Sequence, residues 1–307
     1  MSSKDVWIHE DTRNTALNVL SKLEVDWQVL RIVLEKHIKP IFQANPHPSL
    51  QTATGRVLPR VAGGPMAAQD HYNEQPWKEH PGVDGTVSWC ISRTTSASFE
   101  SLWHLIIPPI MTFLDDFKVA YKLKGVRLVS VLLNHVPVDL LRRTGIGKLL
   151  STSLSTAITF LHDPSTPDLI RETAPTIVKL IQISTAPDSE ERFDRLSDLI
   201  GEGIIGGIWM YSRSDESEAI EASMDVLPEV VHALGIGTAR YLNGLIPQCT
   251  FLIAPNDARP EPSPTNLSAL KALVPIMEEC QPRLSRFKGT IFEAVGKCWI
   301  LQYSRSK

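Results

Sequence analysis

Apolar residues recur every three to four positions along most of this 307-residue chain. That period lines them up on one stripe of a helix, because about 3.6 residues complete a turn. Two such patterns occupy residues 1 to about 43, and the second, Trp27-Leu30-Ile32-Val33-Leu34-Ile38-Ile41-Phe42, stops at Asn45-Pro46. From about Val83 onward the spacing predicts helices over 84–93, 97–114, 117–135, 146–161, 167–184, 189–212, 216–233, 236–253, 265–280 and 284–304, with prolines and glycines as punctuation. The connections are short, as antiparallel helix pairs require. Ser189, and Ser165 with Asp168 three residues on, stand where N-terminal caps belong. No segment alternates apolar and polar long enough for a sheet; Gly85 to Ile91 comes nearest.

One stretch says most about architecture. Leu105 to Pro137 reads as a helix with Pro108 inside it, a tight acidic turn at Asp115-Asp116, and a second antiparallel helix carrying Arg127. This is the pattern of a HEAT-type repeat. A single hairpin of this kind cannot bury its own apolar face, so stacked neighbours are expected. The expected fold is all-α, an α-solenoid of HEAT-like helix pairs. Residues 1–45 supply N-terminal helices, 46–82 one long irregular loop, and 83–307 the solenoid, with the whole chain one continuous structural unit.

The loop from Pro46 to about Gly82 loses all periodicity and is rich in Pro, Gly, His and Gln, with one Asn. Loops this long are either disordered or functional. This one carries Val57-Leu58, Tyr72 and Trp77, and disordered linkers are poor in such residues. Two roles remain open at this point: packing across neighbouring helices of its own chain, or a strap that docks a partner.

Composition narrows the chemistry. A net charge of −3 argues against wholesale phosphate neutralisation, so nucleic acid is a poor partner. Cys90, Cys249, Cys280 and Cys298 are far apart, with no C-x-x-C pair, which disfavours both zinc and a disulfide framework. They read as reduced, mostly buried thiols of a cytoplasmic or nuclear protein. The N-terminus has early charges and no apolar core of a signal peptide. The apolar run Leu105 to Leu114 is far short of the ~18 residues of a membrane span.

Catalytic motifs fail on context. Gly201-x-Gly203-x-x-Gly206 has the letters of a dinucleotide fingerprint, but that motif needs a preceding strand to present a helix N-terminus to a pyrophosphate. Here an amphipathic helical pattern precedes it and Ile204, Ile205 and Ile208 continue a buried helix, so close helix approach explains the glycines. Thr144-Gly145-Ile146-Gly147-Lys148 lacks the first glycine and the final hydroxyl of a phosphate loop, with Arg142 and Leu149 in their places; Thr144 and Gly145 set a turn instead. Asp115 and Asp116, being adjacent, point apart and cannot share one proton or metal. Capping the 117–135 helix is their expected role. Lys118, Lys122, Lys124 and Arg127 form a small basic patch, and acidic strings run over 188–194 and 215–221. Such runs are either solvated faces or docking ridges. The reading is a protein that is not an enzyme, with no cofactor and no metal.

Six strings then fall in a familiar order: Gly55-Arg56-Val57-Leu58-Pro59; Tyr72-x-x-Gln75-Pro76-Trp77-Lys78 followed by Trp89; Trp103-His104-Leu105-Ile106-Ile107-Pro108-Pro109; Leu114-Asp115-Asp116; Tyr121-Lys122-x-x-Gly125; and Leu140-Leu141-Arg142-Arg143-Thr144-Gly145. Their order and spacing, over residues 50 to 150, resemble the Tti-two family, the second Tel-two-interacting protein, with Ile146 standing where Leu is more usual. The resemblance implies a non-catalytic subunit of the Triple T (TTT) cochaperone complex. Such a subunit binds and stabilises Tti-one and, with Tel-two, supports Hsp-ninety in maturing phosphatidylinositol-3-kinase-related kinases of the mTOR, ATM, ATR and DNA-PK type. It offers no catalytic residues; Arg56, Tyr72, Gln75, Trp77, Lys78, Trp89, Trp103, Pro108, Pro109, Asp115, Asp116, Tyr121, Lys122, Gly125, Arg143, Thr144 and Gly145 stand as structural or partner-binding positions. The alternatives are another HEAT adaptor of the transport or phosphatase-scaffold kind, and a nucleotide-using enzyme around Gly201–Gly207.

Overall fold

A run of helices that bury one stripe each accounts for nearly all of the architecture. In this computed structural model the residues described are 9–22, 24–43, 46–62, 75–213, 217–254 and 263–305. Among them the chain is all-α apart from one two-stranded hairpin. No helix among them is long and apolar enough to cross a membrane. The chain divides into two compact units, Met1–Phe117 with Arg127–Leu150, and Lys118–Val126 with Ser151–Lys307.

The first unit begins with α1 (Glu10–Ser21) and α2 (Trp27–Ile32), the latter opened by Asp26, whose carboxylate accepts the Val29 N–H at 2.8 Å. A π-helical turn, Val33–Ile38, then leads into α3 (Lys39–Phe42). Leu30, Leu34, Ile38 and Phe42 are all buried. A spacing of four slightly exceeds the 3.6-residue α turn. The wider π turn, with its i→i+5 bonds, takes up the excess and keeps the four side chains on one face. This face meets α4 (Val83–Arg93) and α5 (Phe99–Leu114). Helix α5 is buried almost all round, as a helix apolar on every side must be. Pro108 and Pro109 lie inside it without ending it.

The next helices are α6 (Val119–His135), α7 (Val138–Thr144) and α8 (Ile146–Ile158). Helix α7 ends as its sequence predicts: the Thr144 hydroxyl donates to the Leu140 carbonyl at 2.6 Å, and Gly145 takes the left-handed conformation, φ 76°.

In the second unit α9 (Thr166–Ser184) is followed by α10 (Glu190–Asp198), a long π-helix (Leu199–Trp209) and α11 (Ser217–Leu234). A 3-10 turn (Gly235–Tyr241) leads into α12 (Leu242–Ile253), and after α13 (Pro264–Glu279) a second (Gln281–Phe287) leads into α14 (Lys288–Arg305). Helix α11 packs between α9 and α13, and α12 packs on α13 and α14. Each helix thus covers the apolar stripe of its neighbours.

Prolines 175, 228, 247 and 275 sit inside α9, α11, α12 and α13, within the helices predicted there, because packing on both sides outweighs one lost backbone hydrogen bond. Several expectations change. The helix predicted over 189–212 is α10 continued by a π-helix. Ser189 caps α10, accepting the Arg192 N–H at 3.2 Å, but Ser165 makes no side-chain cap; Asp163 instead accepts the Ser165 N–H at 2.8 Å. A sheet does exist: Leu50 pairs with Val57 and Gln51 with Arg56, inside the stretch that shows no periodicity. Two-residue strands are too short to alternate visibly.

Candidate functional site

The irregular segment is held down by three side chains that the sequence places near its two ends. The short 3-10 turn Pro76–Glu79 drives Trp77 into the first unit, where it is 1% exposed. Its ring lies 4.5 Å from that of Phe113 on α5 and 6.1 Å from that of Phe42 on α3, while Phe42 and Phe113 are 5.8 Å apart. Tilted and stacked pairs at these separations add to what area burial contributes. Lys78, next along, extends over the Trp77 and Phe117 rings at 5.2 and 5.0 Å and ends 2.8 Å from the buried Asp116 carboxylate.

From the other end of the segment, His47 places Nε2 2.9 Å from Asp115. The Ser49 N–H donates to His47 Nδ1 at 3.2 Å, which leaves the Nε2–H to donate to the carboxylate. The two turn acids therefore point apart, as adjacency requires, and each ties down one end of the irregular segment. This role was not legible: capping of the following helix was the expectation for them, and a lone histidine in a loop carries no pairing signal. Phe42 and Phe113 were legible only as generic core.

A second group of motif residues gathers at the hairpin. Gly55 (φ 64°) is pressed on α5, where an added Cβ would lie 3.0 Å from the His104 Cα and 3.1 Å from the Trp103 carbonyl oxygen. Val57 lies against Gly145. The Arg143 guanidinium reaches Glu100 at 2.7 Å. That hydrogen bond, then the charge of Arg143, hold the Glu100 carboxyl below its usual range, with a smaller contribution from Arg56. Arg56 itself is exposed, Trp89 half-buried, Trp103, Thr144 and Pro109 buried, and Pro108 half-buried. Tyr72 lies outside the described residues. Tyr121, Lys122 and Gly125 belong to the second unit. Lys122 is 4% exposed with its ammonium 5.5 Å over the Phe160 ring, so it cannot contribute to the expected basic patch on a solvated face.

The glycine run lies within the π-helix that α10 feeds, with no strand before it. Its glycines admit neighbours: Gly201 faces the Tyr241 ring, Gly203 faces Ile158, and Gly207 faces Thr159. A recess of about 180 Å³ beside it is lined by Ser151, Ser155, Thr159, Arg195, Asp198 and Glu202 among others. Arg195 is already committed there, donating to Ser184 at 2.9 Å and to Ser151 at 3.2 Å. Among the described residues no group of His, Cys, Asp and Glu converges in the manner of a metal site. Burial pushes the Cys90 and Cys249 thiols up to about 12, a range in which a thiolate nucleophile is not available. Among the described motif residues, Gly55, Trp77, Lys78, Asp115, Asp116 and Arg143 make contacts within the chain.

Two curated relatives are 30% identical over 73 residues, TELO2-interacting protein 2 of Rattus norvegicus and of Mus musculus; the matched stretch is 24% of this chain and 14% of each relative. No solved structure matches. The sequence profile of the Tti2 family extends over residues 1–256, well beyond the motif-bearing stretch, and the chain belongs to the Tti2 family.

Proposed function

We propose that this chain is a non-catalytic scaffold subunit of the TTT complex, which binds and stabilises Tti-one. In that assembly, with Tel-two, it supports Hsp-ninety-dependent maturation of phosphatidylinositol-3-kinase-related kinases, in the cytoplasm and nucleus. The observation that carries the reading is the family profile over residues 1–256 on a chain whose described residues are almost wholly helical. The name of the mammalian relatives, which declares an interaction with TELO2, supports the same assembly. Helix α11 packs between α9 and α13, and α12 packs on α13 and α14; read as HEAT-like pairs, these helices would offer exposed edges for docking. Gln75, Trp77, Lys78, Asp115 and Asp116 brace this scaffold instead of contacting partners, because they are buried or paired internally.

Co-expression of the chain with Tti-one, followed by affinity capture and gel filtration, tests the proposal. A stoichiometric complex that survives dilution to micromolar concentration is expected, as stable adaptor interfaces of more than about 2,000 Å² provide. Separate elution of the two proteins at that concentration overturns it.

A further inference from the structure

Helix α14 is apolar on two sides. One side, with Ile291 and Ala294 buried, packs into the second unit. The other carries Phe292, Val295, Trp299 and Tyr303, which are 77%, 37%, 71% and 55% exposed. Steps of three and four residues put these on one continuous stripe, and Ile300 borders it. The adjoining helix α12 exposes Asn243, Pro247 and Phe251 at steps of four. Single exposed apolar side chains need no explanation, but a stripe of aromatics on packed neighbouring helices does.

The size and charge of this face say what covers it. Fully exposed aromatic side chains present about 150–250 Å² each, so Phe251, Phe292, Trp299 and Tyr303 together offer on the order of 400–650 Å². That is more than half of one side of a standard interface, about 800 Å², and Trp and Tyr are the residues on which binding energy concentrates. Helix α12 contains no charged residue, whereas Arg283, Arg286 and Lys288 lead into the stripe with no acid among residues 280–292, and Glu293 and Lys297 turn away from it. Glu293 is itself paired with Lys297 at 2.6 Å. Arg286 is held by Asn243 at 2.9 Å and stacks on Phe287, which fixes one positive flank at the start of α12. The rim is therefore basic on a chain whose net charge is −3. A second copy would bring like charges together across a two-fold axis, whereas an acid-flanked helix would find complementary ones.

We propose that the α12–α14 face is the docking surface for an amphipathic helix with acidic flanks on a partner protein, its apolar side laid along Phe292, Val295, Trp299 and Tyr303. The identity of that partner as Tti-one rests on the scaffold reading above; the chemistry of the surface does not.

The test uses the full chain, the double variant Phe292→Ser/Trp299→Ser, the charge variant Lys288→Glu, and Trp27→Ser as an exposed aromatic control in the first unit. Two labelled amphipathic helical peptides, identical except for Glu or Lys flanks, are titrated alongside Tti-one. The unaltered chain is expected to bind the Glu-flanked peptide at least tenfold more tightly than the Lys-flanked one. The double variant is expected to weaken both that peptide and Tti-one by roughly 100-fold or more. Lys288→Glu should weaken them several-fold and reduce the salt dependence, and Trp27→Ser should change neither. Circular dichroism melting confirms the fold of each variant, and Val295→Ser replaces the double variant if that one unfolds. Equal binding of the two peptides, or no binding of either, overturns the surface. Tti-one binding that the double variant leaves intact also overturns it while the scaffold reading stands. Peptide discrimination without any Tti-one binding supports the surface and removes the scaffold reading. A dimer in sedimentation, or retention on phosphatidylserine vesicles, that disappears in the double variant assigns the face to self-association or a lipid surface and overturns the proposal.

Discussion

Trp77 and His104 show what single residues contribute in this fold. Trp77 fills the space between Phe42 and Phe113, and truncation leaves a void that neighbouring rings on two separate elements cannot collapse to fill. Trp77→Ala is expected to cost roughly 3–5 kcal/mol, measured by urea denaturation; a loss below about 1 kcal/mol would show that the indole is not part of the core. That an aromatic stood in an otherwise polar loop was visible in the sequence, and so was the choice between own-chain packing and a docking strap. The partners that decide between these roles come from positions 42, 47 and 113 to 116, which no local pattern links to 77. His104 acts in the opposite sense. Burial, with Lys39 adding to it, lowers its pKa, so the folded protein resists protonating it while the unfolded chain protonates near 6.5. The unfolded state then binds more protons below that value, and stability falls as pH drops from 7 toward 5. His104→Asn should flatten the melting-temperature profile across this window. An unchanged profile would assign the acid sensitivity to other groups.

At the scale of elements, helix positions were legible because each helix buries one stripe, and the apolar period reports that stripe directly. Where a helix departs from the α form, the period no longer reports it. Leu199–Trp209 is π-helical, and its abundance of Gly and Ile reads equally well as an ordinary buried helix. The hairpin at residues 50–57 was invisible for the complementary reason, since it is defined by partner pairing and not by composition. The glycines of the π-helix give a sharp expectation. A Cβ at position 207 would meet the Thr159 Cγ2 at 2.5 Å and the Glu202 carbonyl oxygen at 2.9 Å, and the second of these is backbone. Gly207→Ala should destabilise by about 1–3 kcal/mol. Gly85 in α4 has nothing within 4 Å of the same added atom, so Gly85→Ala should be neutral or gain up to about 1 kcal/mol. Chemical denaturation of the pair gives the comparison; equal effects would mean that close helix approach does not explain the glycine at 207.

For the molecule as a whole, fold class and family were readable and the division into compact units was not. Segment 118–126 belongs with residues after 150, and residues 127–150 belong with those before 118; only three-dimensional pairing reveals such an exchange. Order of motifs named the family where composition was ordinary, because six strings in fixed sequence are specific when none is so alone. The bracing of the irregular segment also bears on how the chain is made. Phe113 follows Trp77 by 36 residues in the sequence. During translation at about 5–20 residues per second, the indole leaves the ribosome some 2–7 seconds before Phe113 does. Throughout that interval Trp77 lacks its nearest aromatic neighbour, and of the two rings that flank it only Phe42 is already outside.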